Sequence, residues 1–150
     1  MKTIKLTTPF KHAFLTDQVN PQLQYTFEVD NDCSKCDYWI IWGDLPVESE
    51  KMSVSCPREN IIYLTDEAFL EKKFDQNFLN QFDAIITCRD DLSHRHLIRT
   101  HEINTWHLKK SFSTLFNKEP VPKQKIISVV SSDLTYLPGH KKRYAFVNRL

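Results

Sequence analysis

Glycine is nearly absent: Gly43 and Gly139 are the only two in 150 residues. Neither a Walker phosphate loop nor a GxGxxG dinucleotide fingerprint can be assembled from them, because both use clustered glycines to bring backbone close to phosphate. Charge of one sign is lacking too. Twenty basic side chains stand against nineteen acidic ones, a formal net charge of +1, so no broad field draws nucleic acid or an acidic membrane, and neither is expected as a partner. No apolar run approaches the roughly 18 residues of a membrane span, and residues 1–10 carry no apolar stretch of the kind that directs secretion. A cytoplasmic location is the expectation. Cys33, Cys36, Cys56 and Cys88 are then expected as reduced thiols, not two disulfides. Cys33-Ser34-Lys35-Cys36 has the spacing of half a zinc knuckle, but Cys56 and Cys88 are isolated and give no second close couple, so no metal is expected there.

What is present is the composition of a folded chain, 41% apolar and 26% charged, with enough length for one substantial core. Lys2–Thr7 and residues 23–29 alternate polar with apolar as half-buried strands do. Tyr38-Trp39-Ile40-Ile41-Trp42 is continuously apolar and ends at Gly43-Asp44, the pattern of a strand buried on both faces in a parallel sheet. Residues 60–65 repeat it. Phe74, Phe78, Leu79 and Phe82 recur at helical spacing, and residues 83–88 form the strand after them. Residues 89–102 read as a loop or an irregular helix. A proline-rich, charged stretch near 120–124 reads as a linker, followed by a strand over 125–132, a turn-rich loop and a helix over 141–150. The expected fold is α/β: a Rossmann-like, mostly parallel sheet with flanking helices. Residues 1–119 would form one domain, 120–124 the linker and 125–150 the start of a second. The chain is expected to stop inside that last helix, which has no cap after Leu150.

Several residues could carry chemistry. Glu67 follows a buried strand, where a parallel sheet delivers its carboxyl end to a cleft; a carboxylate there suits a general base, and equally a helix cap. Ser131 and Ser132, then Gly139-His140-Lys141-Lys142-Arg143, could offer hydroxyls, backbone amides and a fixed cation to a diphosphate; the same basic run also suits a solvated helix face. Trp39, Trp42 and Trp106 suit stacking on a sugar ring or filling a core. His94, His96 and His101 have loose metal-like spacing without the carboxylate pattern of a zinc helix.

Five segments in order resemble the family 10 fucosyltransferases: Cys36-Asp37-Tyr38-Trp39-Ile40-Ile41; Cys56-Pro57-Arg58-Glu59-Asn60-Ile61-Ile62-Tyr63-Leu64-Thr65-Asp66-Glu67; residues 77–88; Asn104-Thr105-Trp106-His107-Leu108; and residues 125–132 with 139–150. The resemblance implies the N-terminal half of a GT-B glycosyltransferase, whose first domain serves the acceptor and whose second holds GDP-fucose. It further implies inverting transfer of fucose to a glycan hydroxyl, with Glu67 as catalytic base and Arg143, assisted by Ser131 and Ser132, on the donor phosphates. Trp42 and Trp106 would lie on the acceptor side. The expected partners are a sugar nucleotide and a glycan, with no cofactor and no metal, since cationic side chains can carry the phosphate charge. Two departures stand out: Ala68-Phe69 follows the glutamate where the family has proline or serine-proline, and the family's downstream donor motif has no counterpart. A chain without that motif is expected to be inactive alone. The alternative is a non-catalytic Rossmann-like module that binds carbohydrate or protein through exposed aromatics.

Overall fold

A computed structural model describes residues 1–9, 16–30, 32–46, 51–66, 72–101, 110–120, 122, 124–129 and 131–150. The chain divides into two compact units, Met1–Asn117 and Lys118–Leu150.

The first unit is built on six strands: β1 (Lys2–Thr7), β2 (Tyr25–Val29), β3 (Tyr38–Trp42), β4 (Ile61–Leu64), β5 (Ala84–Thr87) and β6 (Leu97–Arg99). They form one sheet in the order β2-β1-β3-β4-β5-β6, and every neighbouring pair is parallel. The sheet is therefore Rossmann-like and wholly parallel, more uniform than the mostly parallel one expected. Among the described residues it also carries less helix than expected. The helical periodicity over 74–82 becomes only α1 (Gln76–Leu79), because Asp75 caps its start by accepting from the Asn77 N–H. Phe74, just before the cap, stacks on Phe78 at 6.2 Å. A second short helix, α2 (Phe112–Phe116), is capped by Ser111.

The continuous apolar reading of β3 resolves into alternation: Trp39 and Ile41 are buried, whereas Tyr38, Ile40 and Trp42 are half-buried. Trp39 and Ile41 join Tyr63, Ile85, Leu79 and Phe82 in the core of one sheet face. At its centre the fully buried Tyr63 meets the rings of Phe74 (5.6 Å), Phe78 (5.2 Å) and Phe82 (4.9 Å). Short α1 is thus held to the sheet by aromatic packing, which contributes beyond area burial by about 0.5–1.5 kcal/mol per ring pair.

Two further differences from the sequence reading are informative. Residues 97–99, within the stretch expected as a loop or irregular helix, are strand β6; three residues with Ile98 half exposed are too few to show a period, and pairing with β5 alone defines them. Conversely, the strand expected over 125–132 is not formed among its described residues. Ile126, Ile127 and Val129 are exposed, and the second unit has no described strand to complete their hydrogen bonds, so β propensity has nothing to act through. The helix expected over 141–150 forms as α3 (Pro138–Val147), entered one turn earlier because Pro138 occupies its first turn.

Candidate functional site

The order of the strands reverses between β1 and β3, and parallel α/β sheets bind ligands outside the carboxyl ends of their strands near such a point. Asp30, which follows β2 with φ 46°, accepts from the Thr8 N–H and from the Thr8 hydroxyl, both at 2.6 Å. Thr7 accepts from the indole N–H of Trp39 at 2.9 Å. The ends of β1 and β2 are therefore tied together by polar bonds.

Gly43 ends β3 with φ +79°, a conformation few side chains tolerate. Its carbonyl accepts from the Tyr63 hydroxyl at 2.5 Å and from Lys72 Nζ at 2.8 Å. The Asp66 carboxylate lies so close to its Cα that an added methyl would collide with it. Burial, followed by the charges of Asp66 and Asp44, pushes the Tyr63 phenol well above its usual range, so it stays a neutral donor. Lys72 also pairs with Asp44 at 2.7 Å. Burial alone would raise the Asp44 carboxyl, but hydrogen bonds from Lys72 and the Leu45 N–H outweigh it and hold the group below the ordinary carboxylate range.

A second anchor comes from β5. Thr65 donates to Thr87 at 2.8 Å, and Thr87 accepts from the Arg89 N–H at 3.0 Å. The buried Arg89 side chain donates to Lys72 O at 2.6 Å and forks onto both Asp91 carboxylate oxygens, at 2.9 and 2.6 Å. Its guanidinium and the Lys72 ammonium both lie over the Phe74 ring, at 4.9 and 5.3 Å. The hydrogen bond to Asp91 raises Arg89 and lowers Asp91. Chain leaving β4 at Asp66 thus returns at Lys72 to a point pinned to β3 and β5.

Glu67, the expected base, and Trp106 lie outside the described residues. Asp66, directly before Glu67, is described, and its Oδ1 is buried without a hydrogen-bond partner among the described residues, as is the indole Nε1 of Trp42. Trp42 sits at the end of β3, half-buried. In the second unit the structure brings two expected residues together: Arg143 Nη2 donates to Ser132 Oγ at 2.9 Å. Ser131 Oγ donates to Ser132 O at 3.1 Å. All three are exposed.

No family model matches this chain, and no curated protein or solved structure gives a match.

Within the 89–102 segment, His96 lies 3.5 Å from Asp83, which also pairs with Arg95 at 2.8 Å. Among the described residues no group of three or more His, Cys, Asp or Glu is arranged to hold a metal. Sequence reasoning missed Lys72, Arg89 and the Thr8–Asp30 clasp, which join segments remote in the chain. Gly43 was the available signal, one of two glycines and placed at a strand end. It also missed an apolar cleft of about 280 Å³ lined by Trp39, Ile41, Met52, Phe78 and Phe82, with Lys51 and Gln81.

Proposed function

We propose that this chain supplies the acceptor-side domain and the opening of the donor-binding domain of an inverting glycosyltransferase, which moves fucose from GDP-fucose to a glycan hydroxyl. The observation that carries the reading is the Arg143–Ser132 contact. It gathers a guanidinium and a hydroxyl in the unit where the resemblance to family 10 fucosyltransferases puts the donor phosphates. Arg143 lies on α3, whose first-turn N–H groups have no intrahelical partner, and Lys141 and Lys142 precede it with no acidic residue in the first turn. Such a helix favours anions at its start.

In this reading Glu67 removes the acceptor hydroxyl proton as the oxygen attacks the anomeric carbon from the face opposite GDP. The bond from that carbon to the diphosphate breaks, and Arg143 with the Ser131 and Ser132 hydroxyls stabilises the departing charge. The Lys72 and Arg89 contacts anchor the chain at Lys72, five positions after Glu67. The Rossmann-like sheet supports the architecture, and the donor identity rests on the resemblance.

Titration calorimetry of the chain with GDP tests the cradle. Saturable binding is expected, weakened about tenfold or more by Arg143→Ala, the loss of one charge-assisted phosphate contact. A folded chain that gives no heat with GDP, or an R143A variant of unchanged affinity, removes Arg143 from the donor site.

A further inference from the structure

Cys36 and Cys56 are about twenty positions apart in sequence but neighbours in space. Lys35 and Ser55 form a parallel bridge, framed by the Ser55 N–H to Ser34 O bond at 2.9 Å and the Cys36 N–H to Ser55 O bond at 3.1 Å. Extending that register by one residue sets Cys36 beside Cys56 on the same face. Parallel neighbours lie roughly 4.8 Å apart, within the roughly 4.4–6.8 Å Cα separation of disulfides. Both side chains belong to the aromatic core region, Cys36 buried within it and Cys56 packed against it.

From this register we propose that Cys36 and Cys56 are an oxidisable pair, converted to a reversible disulfide by exchange with a small-molecule disulfide such as oxidised glutathione. The more exposed Cys56 thiolate attacks one sulfur of the oxidant, forming a mixed disulfide and releasing one thiol. The Cys36 thiolate then attacks the Cys56 sulfur and expels the second thiol. Two protein thiols lose two electrons and two protons, and one disulfide is reduced to two thiols. Burial raises both thiols, Cys56 to about 12, and the Lys5 backbone and ammonium oppose that rise at Cys36 without cancelling it, so exchange is faster at alkaline pH. Cys33 is directed elsewhere, its thiol donating to Lys35 O at 2.9 Å, and Cys88 is exposed beyond the end of β5. The bond would close a loop containing β3 and Gly43, and with it the Lys51–Met52 wall of the apolar cleft.

The test uses the full chain, reduced and then incubated with oxidised glutathione; remaining thiols are alkylated and the digest is mapped by mass spectrometry. The expected result is a Cys36–Cys56 linked peptide, an intact mass lower by two hydrogens and a melting temperature raised by several degrees. Cys56→Ser abolishes all three, whereas C33S and C88S keep them. A link through Cys33, glutathione retained as a mixed disulfide, or both Cys36 and Cys56 recovered alkylated overturns the proposal. Should C56S fail to fold, the peptide map of the unsubstituted chain decides alone.

Discussion

At Gly43 a missing side chain is the functional property. The residue holds φ +79° and lets the Asp66 carboxylate pack against its Cα while its carbonyl collects the Tyr63 and Lys72 donors. Gly43→Ala is expected to lower stability by about 1–3 kcal/mol for the backbone conformation alone, measured by urea unfolding. Asp66 must also move in that variant, so the loss in the G43A/D66A double variant should be smaller than the sum of the two single losses. Strict additivity would show that the carboxylate and the glycine do not share this space. The sequence advertised Gly43 as a strand stop, but the closeness of Asp66 was invisible, because it depends on β3 and β4 lying side by side. The same holds for Lys72 and Arg89: nothing local to either residue says that both will lie over Phe74.

Elements were most legible where the pattern was long and apolar. β3 and β4 stand within a residue of their expected bounds because aromatic and β-branched runs ending in turn signals leave few alternatives. α1 was harder. Its period over 74–82 was real, yet Phe74 and Phe82 serve as packing residues outside the helix, and the Asp75 cap decides where the helix starts. Burial of Phe82, nearly complete, indicates that the aromatic cluster holds α1 in place. Phe82→Ala should cost about 3–5 kcal/mol, read from the urea midpoint, and should loosen α1 more than β1. A cost below about 1 kcal/mol would mean that Tyr63 and Phe78 hold the helix without it. β6 and the described residues of 125–132, which form no strand, mark the limit of period reading, since strand identity there depends on a neighbour and not on composition.

Across the first unit, the polar anchors at the carboxyl edge of the sheet bear on acid stability. Asp44 and Asp91 both sit below the ordinary carboxyl value of 3.8. At a given pH near that value the folded chain therefore binds fewer protons than the unfolded one, so stability rises with pH. The contribution is complete above the ordinary value and is lost as the pH falls through the lower folded values. Urea midpoints taken from pH 5 downward should fall most steeply below about pH 4, and Lys72→Met should flatten part of that slope. An identical profile in the variant would show that the Lys72–Asp44 pair contributes nothing to it.

The candidate site was legible as residue types in order, not as an arrangement. Arg143 and the two serines are legible from a strand, loop and helix pattern; the structure brings Arg143 to Ser132 although the described residues of 125–132 form no strand. The clasp of Thr8 by Asp30 and the cleft beside Trp39 had no signature in sequence, because their residues meet only after the sheet has formed. The strand order itself carries a consequence for synthesis. After β1 has gained β2 on one side and β3 on the other, β4, β5 and β6 join in the order they are made, each beside its immediate predecessor. Chains fold largely N-terminus first as they leave the ribosome, so this sheet can grow along one border during translation, with no early strand left waiting for a late partner.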